Sequence, residues 1–434
     1  MITYAKEITE YPSSYDIAVA GGGVAGVAAA VSAARSGKKV LLIEKSMKLG
    51  GLATLGLINL FVPMCNGRGK QIIYGMAEEL LRLSIRYGYD TLPEDFKNGG
   101  CLSAELLDAY KKEGKIPPRY MTRYSAEIFA LALTKLCCDE GVELLFDTII
   151  ADTVSEENNP QVLKALIIEN KSGTQYVCAK MFIDTTGDGD VLAKMQLPTT
   201  ERGNFHTYLG MQISLDSCKK AAEKQNIGFA TGYCSGGDAS LYGDRHPAEV
   251  PLYYGTDVQE INRYLIRNQL ELLDKFTEED RNRHDIVTLP GMAQFRTTRR
   301  INADYVLQET DTYRHFEDSI GAICDFDRRD YLFEIPYRTL IRTGYPNVIT
   351  AGRSAAGDGY AWDVIRVIPP AILTGQAAGI ACSMAMDCSV SITDMKNAPH
   401  IEALQKELEH RNVLIHFDDA DIPELSENIH ENND

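Results

Sequence analysis

Residues 15–45 (YDIAVAGGGVAGVAAAVSAARSGKKVLLIEK) constrain the fold more strongly than any other part of this 434-residue chain. A short apolar run, DIAVA, precedes an alanine-rich segment that predicts a helix from about Val24 to Arg35. A second apolar run, KVLLI, follows it. Gly21, Gly23 and Gly26 lie at the first turn with GxGxxG spacing. The order strand, helix, strand with these glycines predicts a dinucleotide-binding unit.

Each glycine in this turn has its own physical task. We expect Gly21 to allow a tight turn, Gly23 to let backbone N–H groups approach a pyrophosphate, and Gly26 to let helix and strand pack closely. Glu44 closes the second strand, where a carboxylate binds ribose hydroxyls and repels the 2′-phosphate of NADP. The alternative, a glycine-rich turn without a ligand, leaves the combination of helix, strands and acid unexplained. The expected contacts with the dinucleotide are Gly21, Gly23, Val24, Ala25, Gly26, Glu44 and Lys45.

Two later segments indicate which dinucleotide is bound. EKSMKLGGLAT begins at Glu44 and contains a Gly-Gly pair, and AKMFIDTTGDGDV (residues 179–191) is a strand ending in Thr-Gly-Asp. A helical segment and short strands lie between them. This order resembles the FAD-binding flavoprotein superfamily that includes glutathione reductase and fumarate reductase, whose FAD domain carries a β-meander. The resemblance implies further contacts with FAD from Gly50, Gly51, Thr54, Thr186, Gly187 and Asp188.

Residues 345–379 (YPNVITAGRSAAGDGYAWDVIRVIPPAILTGQAAG) narrow the resemblance. Ala-Gly-Arg at 351–353, Arg-Val-Ile-Pro at 366–369 and Gly-Gln-Ala-Ala-Gly at 375–379 resemble one family of bacterial FAD-dependent oxidoreductases. With RTTRRINADYVL and FEIPYRTL, the resemblance covers most of residues 15–388. It implies FAD contacts from Gly352, Arg353, Arg366, Pro370 and Gln376.

The fold implied by this resemblance is α/β: a discontinuous Rossmann-like FAD-binding domain, with a parallel sheet and a β-meander, and an inserted α+β cap. The expected boundaries are 1–200 and 338–390 for the FAD domain, 201–337 for the cap, and 391–434 for a C-terminal extension with a frayed acidic end. Arg353 stands where the superfamily often has Asp, and an arginine there suits a phosphate. No histidine follows Gly51, so the resemblance implies noncovalent FAD.

The most apolar long segment is VIRVIPPAILTGQAAGIACSMAM, residues 364–386. A membrane span needs about twenty predominantly apolar residues, but Asp363 and Arg366 lie at one end of this segment and Gln376 lies within it. An ordinary buried helix does not explain the two prolines or the run of small residues. We expect a helix that begins at Pro370, whose small residues let the flavin ring lie close. Its N-terminus would stabilise negative charge on the flavin.

The cap and the segments beside it supply the candidate catalytic residues. On a strand, Arg296 and Arg300 would share one face, and such a pair binds a carboxylate or a polarised carbonyl. Tyr337 and Asp363 are candidate proton acceptors, and Arg366 is a further candidate beside the flavin. For each residue the alternative is a purely structural role. No HExxH or similar spacing predicts a metal site, and TGDGD lacks the ligands of a calcium loop.

Composition limits the possible functions. The net charge of −17 argues against a nucleic-acid partner, and the lack of CxxC and of a second GxGxxG argues against two-dinucleotide disulfide reductases. Scattered cysteines, and an N-terminus without an apolar signal region, indicate a cytoplasmic protein with reduced thiols. We expect hydride transfer between noncovalent FAD and a small organic substrate that bears a carboxylate or a carbonyl. The alternative is a non-redox enzyme or a binding protein that holds a dinucleotide as substrate or structural ligand.

Overall fold

The computed structural model describes residues 7–278 and 281–423. Its strands are β1 (Thr9–Glu10), β2 (Tyr15–Ala20), β3 (Val40–Ile43), β4 (Leu60–Phe61), β5 (Thr122–Arg123), β6 (Glu143–Leu145), β7 (Ile149–Glu156), β8 (Asn159–Asn170), β9 (Gly173–Asp184), β10 (Thr199–Glu201), β11 (Thr207–Ser214), β12 (Thr231–Asp238), β13 (His284–Thr288), β14 (Arg299–Ile301), β15 (Ser319–Cys324), β16 (Leu332–Pro336) and β17 (Val348–Thr350). Its helices are α1 (Val24–Arg35), α2 (Met76–Arg86), α3 (Ala104–Lys112), α4 (Ala126–Asp139), α5 (Asp190–Lys194), α6 (Leu215–Lys224), α7 (Val258–Leu273), α8 (Gly359–Ile365), α9 (Ile368–Cys388) and α10 (His400–His410).

A mixed sheet forms the centre of the protein. β6, β3, β2 and β9 lie side by side and run parallel, and β17 pairs with β9 in the same direction. β7, β8 and β9 form an antiparallel meander. The predicted strand, helix and strand are confirmed as β2, α1 and β3, and the α/β fold class with a parallel sheet and a meander is confirmed with them.

The apolar runs that predicted these elements are buried on both faces of the sheet. Every residue of β3 is buried, and so are ten of the twelve residues of α1. Strands covered by helices on both sides need continuous apolar sequence, since neither face meets water. The alanines of α1 keep its surface narrow, so a second helix can approach its backbone closely.

That second helix is α9. A Cβ added at Gly375 would lie 2.1 Å from the carbonyl oxygen of Ala25, and one added at Gly379 would lie 2.2 Å from that of Ala29. The two glycines are four residues apart and therefore face α1 together. This corrects the expectation that Gly375 and Gly379 lie against the flavin ring, because α1 fills the space beside both glycines.

α9 is also long and apolar enough, by length and composition, to cross a membrane. In the structure 94% of its most apolar window is buried inside the protein. It contacts α1, α2, α10 and β15. Residues 364–386 therefore cover the end of α8 and most of α9, and α9 is a helix of the protein interior, as the charged and polar residues in this segment indicated.

The inserted part has a small core of its own. β11, β12 and β13 form a sheet, and Tyr264 of α7 is buried with Phe295 in a separate apolar cluster. The hairpin β15–β16 lies within the predicted cap, 201–337, yet its Phe333 belongs to the main core with α9. We therefore propose that the cap ends before β15. The acidic end, residues 412–434, was predicted to be frayed. Residues 412–423 are described, and their backbone accepts hydrogen bonds from β15 at Leu414 O and Ile415 O, whereas residues 424–434 lie outside the described residues.

Candidate cofactor and substrate site

A cavity of ≈ 870 Å³ opens where the parallel strands end. It is lined by Gly21, Glu44, Thr185 and Ala351, the residues that directly follow β2, β3, β9 and β17. In open parallel sheets, ligands bind outside these carboxyl ends. The predicted site residues that line the cavity are Gly21, Gly23, Val24, Ala25, Glu44, Lys45, Gly50, Gly51, Thr186, Gly187, Arg296, Gly352, Arg353 and Arg366.

The three glycines of the first turn differ in what surrounds them. Gly21 has φ +103°, and its Cβ would lie 2.5 Å from the carbonyl oxygen of Thr185. A Cβ on Gly26 would lie 1.9 Å from the carbonyl oxygen of Gly21. A Cβ added at Gly23, by contrast, would have no protein atom within 4 Å. Helix α1 begins directly after this residue without a side-chain cap. The opening and the N–H groups of the first turn fit a pyrophosphate.

Glu44 is placed and oriented by the backbone around it. Its Oε2 accepts a hydrogen bond from Gly22 N at 2.7 Å, and its Oε1 accepts one from Ser46 N at 2.8 Å. The side chain is buried but reaches the cavity wall. A carboxylate has about four acceptor positions, so two remain for the hydroxyls of a ribose.

The loop after β3 folds back onto the glycine turn. Gly50 N donates to Gly22 O at 2.8 Å, and both Gly50 and Gly51 have positive φ, +104° and +54°. Thr54, predicted to contact FAD, does not reach the cavity wall. Its hydroxyl donates to Leu49 O at 2.5 Å, so this residue closes the loop instead.

Arg353 is held by the protein rather than left open for a phosphate. Its Nη2 donates to Asp188 Oδ1 at 2.7 Å and its Nη1 to Phe295 O at 2.9 Å. Burial opposes ionisation of Asp188, but Arg353 and Lys45 outweigh it and lower the pKa of that carboxyl. Asp188 itself is absent from the cavity wall, contrary to the prediction. The ion pair joins the ends of β9 and β17 to the cap.

The start of α9 faces the cavity through Val367, Ile368 and Ala371, with no side-chain cap on the helix. This agrees with the expected direction of its N-terminus. Two predicted contacts on α9 lie elsewhere. Pro370 is the third residue of the helix rather than the first, and the Oε1 of Gln376 accepts a hydrogen bond from Met76 N at 2.9 Å, where it supports the start of α2.

Asp363 lies between two arginines. Its Oδ2 accepts a hydrogen bond from Arg202 Nη2 at 2.6 Å, and its Oδ1 accepts two from Arg366, at 2.8 and 3.0 Å. Because both oxygens bind guanidinium groups, the predicted role of Asp363 as a proton acceptor is wrong for this geometry. Burial lowers the pKa of Arg366 to about 10, although Asp363 acts in the opposite direction.

Arg296 and Arg300 do not form the predicted pair. β14 contains only three residues, and Arg296 precedes it. The two arginines therefore do not lie on one strand whose alternating side chains would place them on the same face. Arg296 lines the cavity, and its Nη1 donates to Ser240 O at 2.9 Å. Arg300 instead lies over the ring of Trp362, with its guanidinium carbon 5.7 Å from the ring centre.

Tyr337 is not at the site either. The residue is fully buried, and its hydroxyl donates to Ile392 O at 2.8 Å. Burial raises the pKa of this phenol well above its ordinary value of 10. A phenol in this position supports the core and cannot accept a proton from a substrate in the cavity.

The predictions missed the apolar part of the cavity wall. Its residues come from several separate segments, so no local motif indicates them. They are Leu55, Ile58, Leu60, Val62, Leu209, Leu241, Met292 and Phe326. Arg202, the second partner of Asp363, was missed for the same reason.

Among curated proteins, the chain is 34% identical over 98 residues to a thioredoxin reductase of Ureaplasma parvum serovar 3. The match covers 23% of this chain and 29% of the reductase, so the chain spans less than a third of that protein's length.

Solved structures with a similar arrangement include a geranylgeranyl bacteriochlorophyll reductase-like protein of Thermoplasma acidophilum (14% identity, 92% of this chain and 84% of that chain, TM-score 0.41). Another is p-nitrophenol 4-monooxygenase PnpA of Pseudomonas putida (13% identity, 96% and 91%, TM-score 0.40).

The decisive similarity is to a family as a whole. The model of the family described as FAD dependent oxidoreductase matches residues 16–228 and 248–408. These two ranges include the glycine turn, the meander, most of the cap, and α9. The match agrees with the resemblance carried by the sequence motifs and with the cavity at the carboxyl ends of the parallel strands. The chain therefore belongs to the FAD dependent oxidoreductase family, and its cofactor is FAD.

Proposed function

We propose that this protein transfers a hydride between noncovalent FAD and a small substrate that carries a carboxylate and an apolar body. The observation that carries the proposal is the excess of positive charge at the part of the cavity wall formed by Arg296 and Arg366. Arg296 and Arg366 both line it, whereas Asp363, bound to Arg202 and Arg366, is the carboxylate that faces these three guanidinium groups. A substrate carboxylate would compensate the remaining charge.

Burial raises the energetic cost of this charge imbalance. It lowers the pKa of both Arg296 and Arg366, and in each case the attraction to Asp363 only partly offsets it. The Nη1 of Arg296 donates to a backbone carbonyl, Ser240 O, rather than to an acid. A desolvated cation without a full counter-charge is costly, so an anionic ligand would be stabilised here.

Other residues of the cavity wall are apolar and favour hydrocarbon. Leu60 and Val62 come from the region of β4, and Leu209 and Met292 come from the cap. Apolar walls with a few charged groups are typical of small-molecule sites, where the charged groups fix the orientation. We propose that the arginines hold the carboxylate while the cap and β4 enclose the rest of the substrate and exclude water.

FAD supplies the hydride chemistry of the reaction when it is bound. The chain's part is binding and orientation. We propose that Gly23 and the start of α1 hold the pyrophosphate, that Glu44 holds the adenosine ribose, and that the start of α9 stabilises negative charge on the ring system. Leu52 follows Gly51, so no histidine stands there to form a covalent link.

Redox chemistry is favoured over a non-redox or purely binding role by membership of the family. It is also favoured by Arg296 and Arg366, which line the same cavity as the glycine turn. We further propose a cytoplasmic location, which is supported by ten cysteines that are all unpaired.

The test uses the flavin absorption of the holoprotein under anaerobic conditions, with a panel of small aliphatic and aromatic carboxylates and their neutral amides. We expect carboxylates to bleach or shift the flavin bands and the amides to leave them unchanged. Arg296→Gln should weaken the response to carboxylates at least about tenfold, since it removes a charge-assisted interaction worth roughly 1.5–3 kcal/mol.

Arg245→Gln is the matched control, because Arg245 is an exposed arginine of the cap. It should respond like the wild type, and FAD content should be equal in all three proteins. The proposed substrate class is wrong if the amides change the flavin bands as strongly as the carboxylates do. It is also wrong if Arg296→Gln binds the carboxylates with unchanged affinity.

A further inference from the structure

A second group of polar side chains lies where the C-terminal segment meets the hairpin β15–β16. Glu334 of β16 is fully buried, and its Oε1 lies 2.5 Å from His315 Nδ1 and 3.0 Å from His416 Nδ1. These three ligand atoms all lie within 4.8 Å of one another. We propose that His315, Glu334 and His416 form a binding site for one divalent metal ion of the zinc type.

The donor set suits such an ion. Two imidazoles and one carboxylate are ligands that zinc prefers, with bonds of about 2.0–2.2 Å, and three protein ligands leave one position for water. Tetrahedral ligand atoms at those bond lengths lie about 3.3 Å apart. The two distances from Glu334 Oε1 to the histidine nitrogens therefore each need to increase by less than about 1 Å, and both imidazoles are partly exposed, at 41% and 47%.

The surroundings of His315 resemble those of a metal ligand. Its second nitrogen, Nε2, lies 3.0 Å from Asp419 Oδ1. Metal-binding histidines commonly donate their other N–H to a carboxylate, which fixes the tautomer and the orientation of the ring. The second oxygen of Glu334, Oε2, accepts a hydrogen bond from Phe316 N at 2.8 Å, which holds the carboxylate in place.

The third ligand, His416, is positioned by the backbone on its N-terminal side. Leu414 O accepts a hydrogen bond from Ala322 N at 2.7 Å, and Ile415 O accepts one from Ser319 Oγ at 2.7 Å. The C-terminal segment therefore lies along β15 before any ion binds. A bound ion would join residues 315, 334 and 416, which are distant in sequence, and would fasten this segment to the main core.

The experiment is a calorimetric titration of the metal-stripped holoprotein with zinc chloride, followed by X-ray absorption of the protein loaded with one equivalent. We expect one ion per chain, with nitrogen and oxygen neighbours at about 2.0–2.2 Å and no sulfur. His416→Ala should lower the affinity at least about tenfold, and Asp419→Asn should lower it about tenfold to a hundredfold.

His410→Ala is the matched control, because His410 is an exposed histidine at the end of α10. It should bind zinc like the wild type. FAD content and melting temperature without zinc should be the same in all variants. The proposal is overturned if the wild type does not bind zinc or if the bound zinc has a sulfur neighbour. It is also overturned if His416→Ala binds zinc as tightly as the wild type.

Discussion

Gly23→Ala is expected to lose FAD while the protein still folds. The Cβ of alanine would meet no protein atom within 4 Å, and the backbone of Gly23, with φ −63°, is open to any residue. The methyl group would instead occupy the space proposed for the pyrophosphate. Losing one or two charge-assisted hydrogen bonds, each worth about 1.5–3 kcal/mol, should weaken FAD binding at least about tenfold.

The measurement compares FAD affinity, from fluorescence titration of the apoprotein, with the melting temperature of the same apoprotein. Gly26→Ala is the matched variant, because its Cβ would lie 1.9 Å from a backbone oxygen. It should lower stability as well as FAD binding. A Gly23→Ala protein that binds FAD like the wild type would show that the dinucleotide does not lie over this turn.

Gly375→Ala is expected to destabilise the whole protein, although alanine is the better helix former by about 1 kcal/mol. The added Cβ would lie 2.1 Å from the carbonyl oxygen of Ala25, so α9 and α1 would have to separate. Overpacking in a core costs about 1–3 kcal/mol and occasionally more. Since two backbones must move here, we expect a loss of about 3 kcal/mol in the free energy of unfolding, measured by urea denaturation.

Gly232→Ala provides the control for that variant. A Cβ at position 232 would meet no atom within 4 Å, so the stability of this variant should stay within about 0.5 kcal/mol of the wild type. If Gly375→Ala were as stable as Gly232→Ala, the close contact between the two helices would be contradicted.

Local sequence predicted the nucleotide-binding unit well because each of its features has a local cause. The apolar runs of β2 and β3 had to be buried strands, and the alanine-rich segment between them had to be a helix. Gly21 is required by its positive φ of +103°, and Gly26 by its contact with the carbonyl oxygen of Gly21 in the same turn. Such constraints act between neighbours in the chain, so one sequence is enough to show them.

Side-chain direction was harder to predict because it depends on distant partners. α9 is buried on nearly all sides, so its sequence does not show that Gln376 faces α2 while the start of the helix faces the cavity. Arg300 was placed beside Arg296 by assuming a longer strand than β14. The sequence around Tyr337 does not indicate that its hydroxyl donates a hydrogen bond to Ile392 O. The apolar wall and Arg202 come together only through the tertiary fold.

We infer that the cavity at the strand ends holds noncovalent FAD for redox chemistry. The most direct test is the absorption spectrum of the freshly purified protein before and after acid precipitation. We predict bands at about 370 and 450 nm, one flavin per chain, with all of the colour in the supernatant after precipitation. A colourless protein that also fails to take up added FAD would contradict the claim.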